Sequence, residues 1–377
     1  MLSSHTRSNC IKLLRRATNC STDGVILRPL DKQPLLLRCR RHLATATMRR
    51  ALAVCCASTA AALDTVSGRL LRRVKRVDAG GDAYRSARDF VLNGEALGKV
   101  LPRAAEALKP FLTVTDTAVT LDAVDATAVL KDAFDALREQ DAIPMLRGWR
   151  DEPFAIRPSF AAPARAVVER AAAPLLGAPA YGVFCTAYVC DDSGAPAEVW
   201  LGRRSATKPT WPGLLDSVAA GGLAAGELPR DAMAAECQEE AGVSEDLLHG
   251  LKPVGAVSYT GFHQDRDWAV KPDTLFCFDL AVPKDWEPRP VGRQCTNQNS
   301  RRFLIYWLIG AQVDGEVESF ERVSITELIY RLVRDDDAWK PNVGLVLTDF
   351  LVRHGRVPAD DVEYLDLIRA LRNGRCA

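Results

Sequence analysis

The chain has 377 residues, enough for two ordinary domains. Its content of 47% hydrophobic and 26% charged residues describes a globular protein, and no apolar run is long enough to span a bilayer. The formal net charge of +1 hides an asymmetry: residues 1–50 carry 11 Lys and Arg against only Asp23 and Asp31, so the remainder is acidic and offers no nucleic-acid surface.

The basic N-terminus, "MLSSHTRSNCIKLLRRATNC" onward, is rich in Ser, Thr, Arg and Leu and poor in acids. That composition matches an organellar transit peptide over residues 1–60, for mitochondrion or plastid. A tail in a cytoplasmic protein, with translation starting at Met48, is the alternative. The 11 cysteines form no C-x-x-C pair. They read as reduced thiols, with no zinc site and no disulfide framework.

From residue 61 a first, smaller α+β domain is expected to run to about 178. "ASTAAALDTVSGRLLRRVKR" predicts a helix, and "ARDFVLNGEALGKVLPRAAEALKPF" an extended piece, a turn at Asn93-Gly94, then a helix. "LTVTDTAVTLD" reads as a hairpin, "TAVLKDAFDALREQ" as an amphipathic helix and "GWRDEPFAIRPSF" as loop and strand. "APARAVVERAAAPLLG" predicts a helix linking to a second domain over 179–372. There "AYGVFCTAYVC", "AEVWLGRRSA", "VGAVSYTGF", "DTLFCFDLAV" and "EVESFERVS" are strands. "ITELIYRLVR", "KPNVGLVLTDFLVRHG" and "DVEYLDLIRALR" are helices.

The most informative stretch is "GGLAAGELPRDAMAAECQEEAGV", residues 221–243. Pro229 suits a first helical position and Gly242 the left-handed residue past a helix end. At 100° per residue, Glu236, Glu239 and Glu240 share one arc of about 100°, while Ala234, Cys237 and Ala241 fall on a neighbouring, core-facing arc. Such a face is either solvated or metal-binding. The carboxylates crowd the end of the helix where the dipole disfavours anions, and Glu236 and Glu240 are a repulsive i,i+4 pair. A divalent cation reverses both penalties, and Mg²⁺ takes oxygen ligands.

Read from Gly221, the stretch resembles the Nudix box G-x5-E-x7-R-E-U-x-E-E-x-G-U, where U is a bulky apolar residue. The departure is Ala235, where the box has Arg. The resemblance implies a Nudix α/β/α sandwich with a mixed sheet. It implies Glu236, Glu239 and Glu240 as catalytic and metal-holding residues, with Glu227 and the Gly221 carbonyl completing the shell around Mg²⁺, for which Mn²⁺ can substitute. "GWRDEPFAI", "ERAAAPLLGAPAYGV", "GRRSATKPTWPGLLDSVAAGGLAAGE", "DGEVESF" and "NVGLVLTDFLVRHG" resemble one Nudix subgroup, in which an N-terminal domain precedes the hydrolase and which some fungi fuse to thiamine pyrophosphokinase. This subgroup releases phosphate from diphosphates of oxo- and oxythiamine. The implied partner is a small-molecule diphosphate, with no nucleic acid and no membrane.

Arg203, Arg204 and Lys208 are candidate phosphate contacts or, equally, solvated charges on a strand edge. Trp211 either stacks on a heteroaromatic ring or anchors its loop beside Pro212, and Trp149 carries the same ambiguity. Two other functions fit the box. A silent ligand-binding Nudix domain would explain Ala235. An isopentenyl diphosphate isomerase would need a cysteine in "LLDSVAAGG", which has none. In the resembling subgroup "PRPV" would run straight into "DGEVESF", so residues 292–312, "GRQCTNQNSRRFLIYWLIGAQ", read as a foreign insert or as a strand added to the sheet. The arginine missing at 235 would be expected to pair with a box glutamate, and Arg230 is the nearest substitute.

Overall fold

The turn Asn93-Gly94 forms as the sequence predicts, with both residues at positive φ (49° and 82°), the backbone a tight hairpin requires. It joins β1 (Arg88–Leu92) to β2 (Glu95–Val100). The structure, a computed structural model, describes residues 64–208, 210–262, 266–289, 317–334 and 338–374. The expected transit peptide over 1–60 and the expected insert 292–312 lie outside the described residues.

Two helices come first: α1 (Val66–Val77) and α2 (Gly81–Ser86). After the hairpin come α3 (Pro102–Leu108), β3 (Thr113–Val114), β4 (Ala118–Leu121) and α4 (Ala126–Glu139). The strands make a four-stranded sheet in the order β2-β1-β4-β3, with β1 and β4 parallel. Phe90, Leu130, Phe134, Leu108 and Leu176 are buried in its core. The sequence reading missed β2, placing only turn and helix after Leu92. Leu97 and Val100 face the core from that strand, and the helix waits for Pro102 at its first turn.

The expected linking helix over 162–177 is also replaced. Residues 166–169 form β6 (Ala166–Glu169), paired with β5 (Pro153–Ile156), followed by a single 3-10 turn at Ala173–Leu176. Val167 and Val168 are β-branched and favour the pleated partner. Pro174 and the left-handed Gly177 (φ 56°) stop any longer helix.

The second sheet contains β7 (Ala180–Cys190), β8 (Pro196–Arg204), β9 (Leu215–Ser217), β10 (Ala219–Gly222), β11 (Lys252–Phe262), β12 (Val270–Ala281) and β13 (Val317–Ser324). Its order is β11-β12-β7-β8-β13, with β10 on β7 and β9 on β8. β12 and β7 are parallel and the other pairs antiparallel, which makes the sheet mixed. Along β7 the side chains alternate: Val183, Cys185 and Ala187 enter one core, Phe184 the other.

One face is covered by α5 (Pro229–Ala241), with the short α6 (Glu245–Leu248) following it in the chain. The other is covered by α7 (Ile325–Val333), α8 (Val343–Arg353) and α9 (Tyr364–Ala370), joined by α1. The result is the expected α/β/α sandwich with a mixed sheet, preceded by a smaller α+β region. α1 packs on the larger sheet although it opens the described chain. Ser67 donates its N–H to Asp361 (2.9 Å), and the Thr65 hydroxyl donates to Glu363 (2.6 Å).

Strand β2 of the smaller sheet crosses the 3-10 turn ahead of β7 at backbone contact. A Cβ on Gly98 would lie 2.2 Å from the Leu176 carbonyl oxygen, and one on Gly177 2.0 Å from that of Lys99. Gly98→Ala is therefore expected to destabilise the protein by about 2–4 kcal/mol. Urea unfolding of the 64–377 chain measures it, and a loss under about 0.5 kcal/mol would show that the crossing yields.

Candidate active site

Helix α5 follows β10 through the loop 223–228. Its sequence has Pro229 in the first turn and no β-branched residue, so nothing interrupts it before Gly242 turns left-handed (φ 63°). Val243 and Gly242 return their N–H groups to Cys237 and Gln238 (both 3.1 Å) and end the helix. Ala232, Met233, Cys237 and Ala241 face the core. Ala234, expected there, is only half-buried, and Met233 takes its place. Cys237 is an inert structural thiol: a hydrogen bond it gives to Cys185, and burial, push it well above its ordinary range.

The opposite face carries the carboxylates. Glu240 accepts the Ala220 N–H (2.8 Å). Glu236 lies so close over Gly221 that a Cβ there would sit 2.0 Å from its Oε1. Both line a cleft of about 670 Å³. Glu239 is half-buried on the same helix, and Glu227 accepts the Ala224 N–H (3.2 Å) within the preceding loop. Neither is part of the cleft lining.

Among the described residues no three His, Cys, Asp or Glu side chains gather into a finished cage. The donor set still fits a hard divalent ion. It consists of carboxylate oxygens seated on glycine backbone at the helix end that repels anions. Mg²⁺ retains waters and is usually held by one or two carboxylates plus substrate phosphates, so an incomplete cage suits it.

The predicted phosphate contacts separate. Arg203 is not part of the cleft lining and donates to the Gly213 carbonyl (2.9 Å). Arg204 lines the cleft but is committed: it donates to the carbonyls of Thr210 and Trp211 and to Asp216 (2.8 Å). Together they clasp residues 210–213, where Trp211 (φ 53°) and Gly213 (φ 69°) turn left-handed. Lys208 and Trp211 themselves line the cleft. Trp149 does not. Its indole donates to Asp151 (2.8 Å), its ring lies under Arg138 and it packs on the smaller core, an anchoring role.

Asp216 also accepts from Lys340 (2.9 Å), whose ammonium sits 4.8 Å from the Phe184 ring centre. Burial pushes the Asp216 carboxyl up, but Lys340 and Arg204 outweigh it and hold the group below its ordinary 3.8. Deeper in the cleft, Tyr259 donates to the buried Asp273 (2.9 Å), which also takes Lys271 (2.8 Å). Burial and Asp273 raise the Tyr259 hydroxyl far above its usual range, so it stays protonated. Sequence reading missed Tyr259, Lys271, Asp273, Lys340, Arg150 and Arg170. The only local hint was the pairing of arginine with aromatic residues in "GWRDEPF".

Residues 69–180 match the family model described as a domain of unknown function, DUF4743, and residues 181–343 match the NUDIX domain. "Nudix hydrolase 20, chloroplastic" of Arabidopsis thaliana is 33% identical over 322 residues, covering 81% of this chain and 78% of that protein. "Nudix hydrolase 24, chloroplastic" of the same plant is 33% identical over 317 residues with the same coverage. An uncharacterized protein of Saccharomyces cerevisiae is 32% identical over 244 residues, 61% of this chain and 62% of its own. The chain belongs to the Nudix hydrolase family, with a DUF4743 region ahead of the hydrolase. It is a pyrophosphohydrolase, of a family whose members use divalent metals such as Mg²⁺.

Arg230, the substitute proposed for the arginine absent at 235, points elsewhere. It donates to the carbonyls of Leu251 (2.7 Å) and Leu248 (3.4 Å), closing the loop after α6. Arg230→Ala is therefore expected to lower stability by about 1–2 kcal/mol and leave the Mg²⁺ requirement unchanged; a raised Mg²⁺ requirement in a rate titration would contradict this placement. Asp216 gives a pH prediction. Because its folded pKa is lowered, its contribution is complete above pH 4 and is lost as pH falls through the lowered value. Asp216→Asn should cost about 3 kcal/mol at neutral pH and flatten the acid limb of the melting temperature against pH.

Proposed function

We propose that the protein is a Mg²⁺-dependent hydrolase that converts oxo- or oxythiamine diphosphate to the monophosphate and phosphate. One observation carries the reading: Glu236 and Glu240 enter, over a glycine seat, a cleft whose other walls are basic and aromatic. A diphosphate on a heteroaromatic ring asks for both kinds of wall. Resemblance to the thiamine-linked subgroup supplies the choice of ring.

In this reading Glu236 and Glu240, with Gly221, would hold the metal from within the cleft. Glu239 and Glu227, outside the cleft lining, would support them. When bound, the ion would lower the pKa of water and neutralise phosphate charge. One box glutamate accepts the proton of the attacking water, and Lys208 takes the charge that develops on the phosphate oxygens. Trp211 offers a face for the ring. Ala235 leaves the box without its arginine, and Arg230 is engaged elsewhere, so the enzyme is expected to be slow and to need more Mg²⁺. The isomerase alternative finds no support, since no cysteine lines the cleft among the described residues. The basic N-terminus and the names of the plant relatives favour a plastid over a mitochondrion.

Phosphate release by a chain lacking the first ~60 residues tests the reading. Oxo- or oxythiamine diphosphate should be cleaved faster than thiamine diphosphate, and only with Mg²⁺ or Mn²⁺. Equal or faster turnover of ADP-ribose or CoA would remove the substrate assignment. Glu240→Gln should lower kcat by about tenfold to a hundredfold with the fold intact; retained activity would remove the metal assignment.

A further inference from the structure

The cleft has two walls, and only one of them is Nudix sheet and helix. The other is built by the DUF4743 region, mostly from residues between Met145 and Ala178, with Arg73, Arg76 and Val77 of α1 also lining the cleft. This wall touches the box directly. Pro153 at the start of β5 accepts the N–H of Ala225 in the box loop (3.0 Å). A Cβ on Gly222 would lie 3.0 Å from the Phe154 ring and 3.5 Å from the guanidinium carbon of Arg170. Arg170 therefore stands over Gly222, one residue from the seat of Glu236.

Its position is prebuilt. The Arg170 guanidinium donates to Glu152 (2.7 Å) and its backbone N–H to the Glu152 carbonyl (2.9 Å). The loop carrying Glu152 is tied in turn by Glu169, 9% exposed, which accepts the N–H groups of Arg150 (3.0 Å) and Glu152 (2.8 Å). One buried carboxylate thus fixes the backbone of Arg150 and, through Glu152, the side chain of Arg170.

Charge balance gives this wall a task. Glu236 and Glu240 cancel the charge of one divalent ion, so a diphosphate gains little net attraction from the metal side alone. Arg204 and Lys340 are bound to buried Asp216, and Lys271 to buried Asp273. Arg170 is itself paired with Glu152, yet it is 41% exposed, and its planar fork matches phosphate oxygens. We propose that the DUF4743 region is the substrate-gripping half of the hydrolase, with Arg170, flanked by Arg150, binding phosphate oxygens of the diphosphate opposite Glu236 and Glu240. The proposal rests on the diphosphate reading above.

Calorimetric titration of the 64–377 chain with magnesium imidodiphosphate, a non-hydrolysable pyrophosphate, tests it apart from catalysis. Arg170→Gln should weaken binding by about tenfold or more, with a smaller dependence on salt. Arg150→Gln should weaken it less. Arg165→Gln, which breaks an exposed pair with Glu95 in the same region, should not change it. With a cleaved diphosphate, Arg170→Gln should raise KM by a similar factor and change kcat less, the reverse of Glu240→Gln. Parent affinity in Arg170→Gln overturns the proposal. If that variant does not fold, Arg170→Lys decides: several-fold weaker binding supports the role of the planar fork, and parent affinity overturns it. A parent that binds imidodiphosphate through Arg170 but cleaves no diphosphate would refute the hydrolase reading and leave the binding site standing.

Discussion

A side chain on residue 221 would put its Cβ 2.0 Å from Glu236 Oε1, so the bare backbone there is what lets the carboxylate helix close onto the sheet. The rest of the site follows from that approach. β10 lies against β7, pairing Gly221 with Val183 and Gly222 with Gly182. A helix packed this close can offer Glu240 to the Ala220 N–H and bring Glu236 to the mouth of the cleft. Beside it, Gly222 leaves room for Phe154 and Arg170 from the region ahead of the sheet.

Around this contact the fold spends buried charge on geometry rather than on chemistry. Asp216 collects Arg204 and Lys340, and Arg204 in turn holds the carbonyls that shape the loop bearing Lys208 and Trp211. On the helix side of the sheet, Asp279 takes Arg353 and His354, while Asp349 takes Arg353 and Arg372. Both aspartates are almost fully buried, and burial of paired charge is a means of fixing one arrangement more than of gaining stability. The first cluster sets one wall of the cleft; the second locks α8 and the chain end to β12.

The region ahead of the hydrolase is not a separate bead on a linker. Its 3-10 turn crosses β2 at backbone contact, Trp268 and Ala269 of the β11–β12 connection enter its core, and α1 lies on the far face of the larger sheet. A cleft closed by two sequence regions can set its shape and charge in one and keep its metal chemistry in the other. That division gives a physical reason for the two to remain on one chain.

Local chemistry made much of this legible in the chain itself. Pro229 and Gly242 bracket the box helix because one lacks an N–H and the other a Cβ, and both constraints act within a residue or two. Asn93-Gly94 marks its hairpin for the same reason, and the spacing of Glu227, Glu236, Glu239 and Glu240 marks the family. Where local preference was weak, the tertiary structure decided. The alanine-rich stretch 162–177 suits a helix alone, yet Val168 becomes strand because Phe154 lies opposite it in β5. Arg203, Arg204 and Lys208 look alike in sequence, but only packing determines that the first two hold a loop and the third lines the cleft. Arg170 and Tyr259 gave no signal, because their partners Glu152 and Asp273 lie 18 and 14 residues away on other elements, and Gly222 and Asn342 lie farther still; a contact of that kind is written in no single segment.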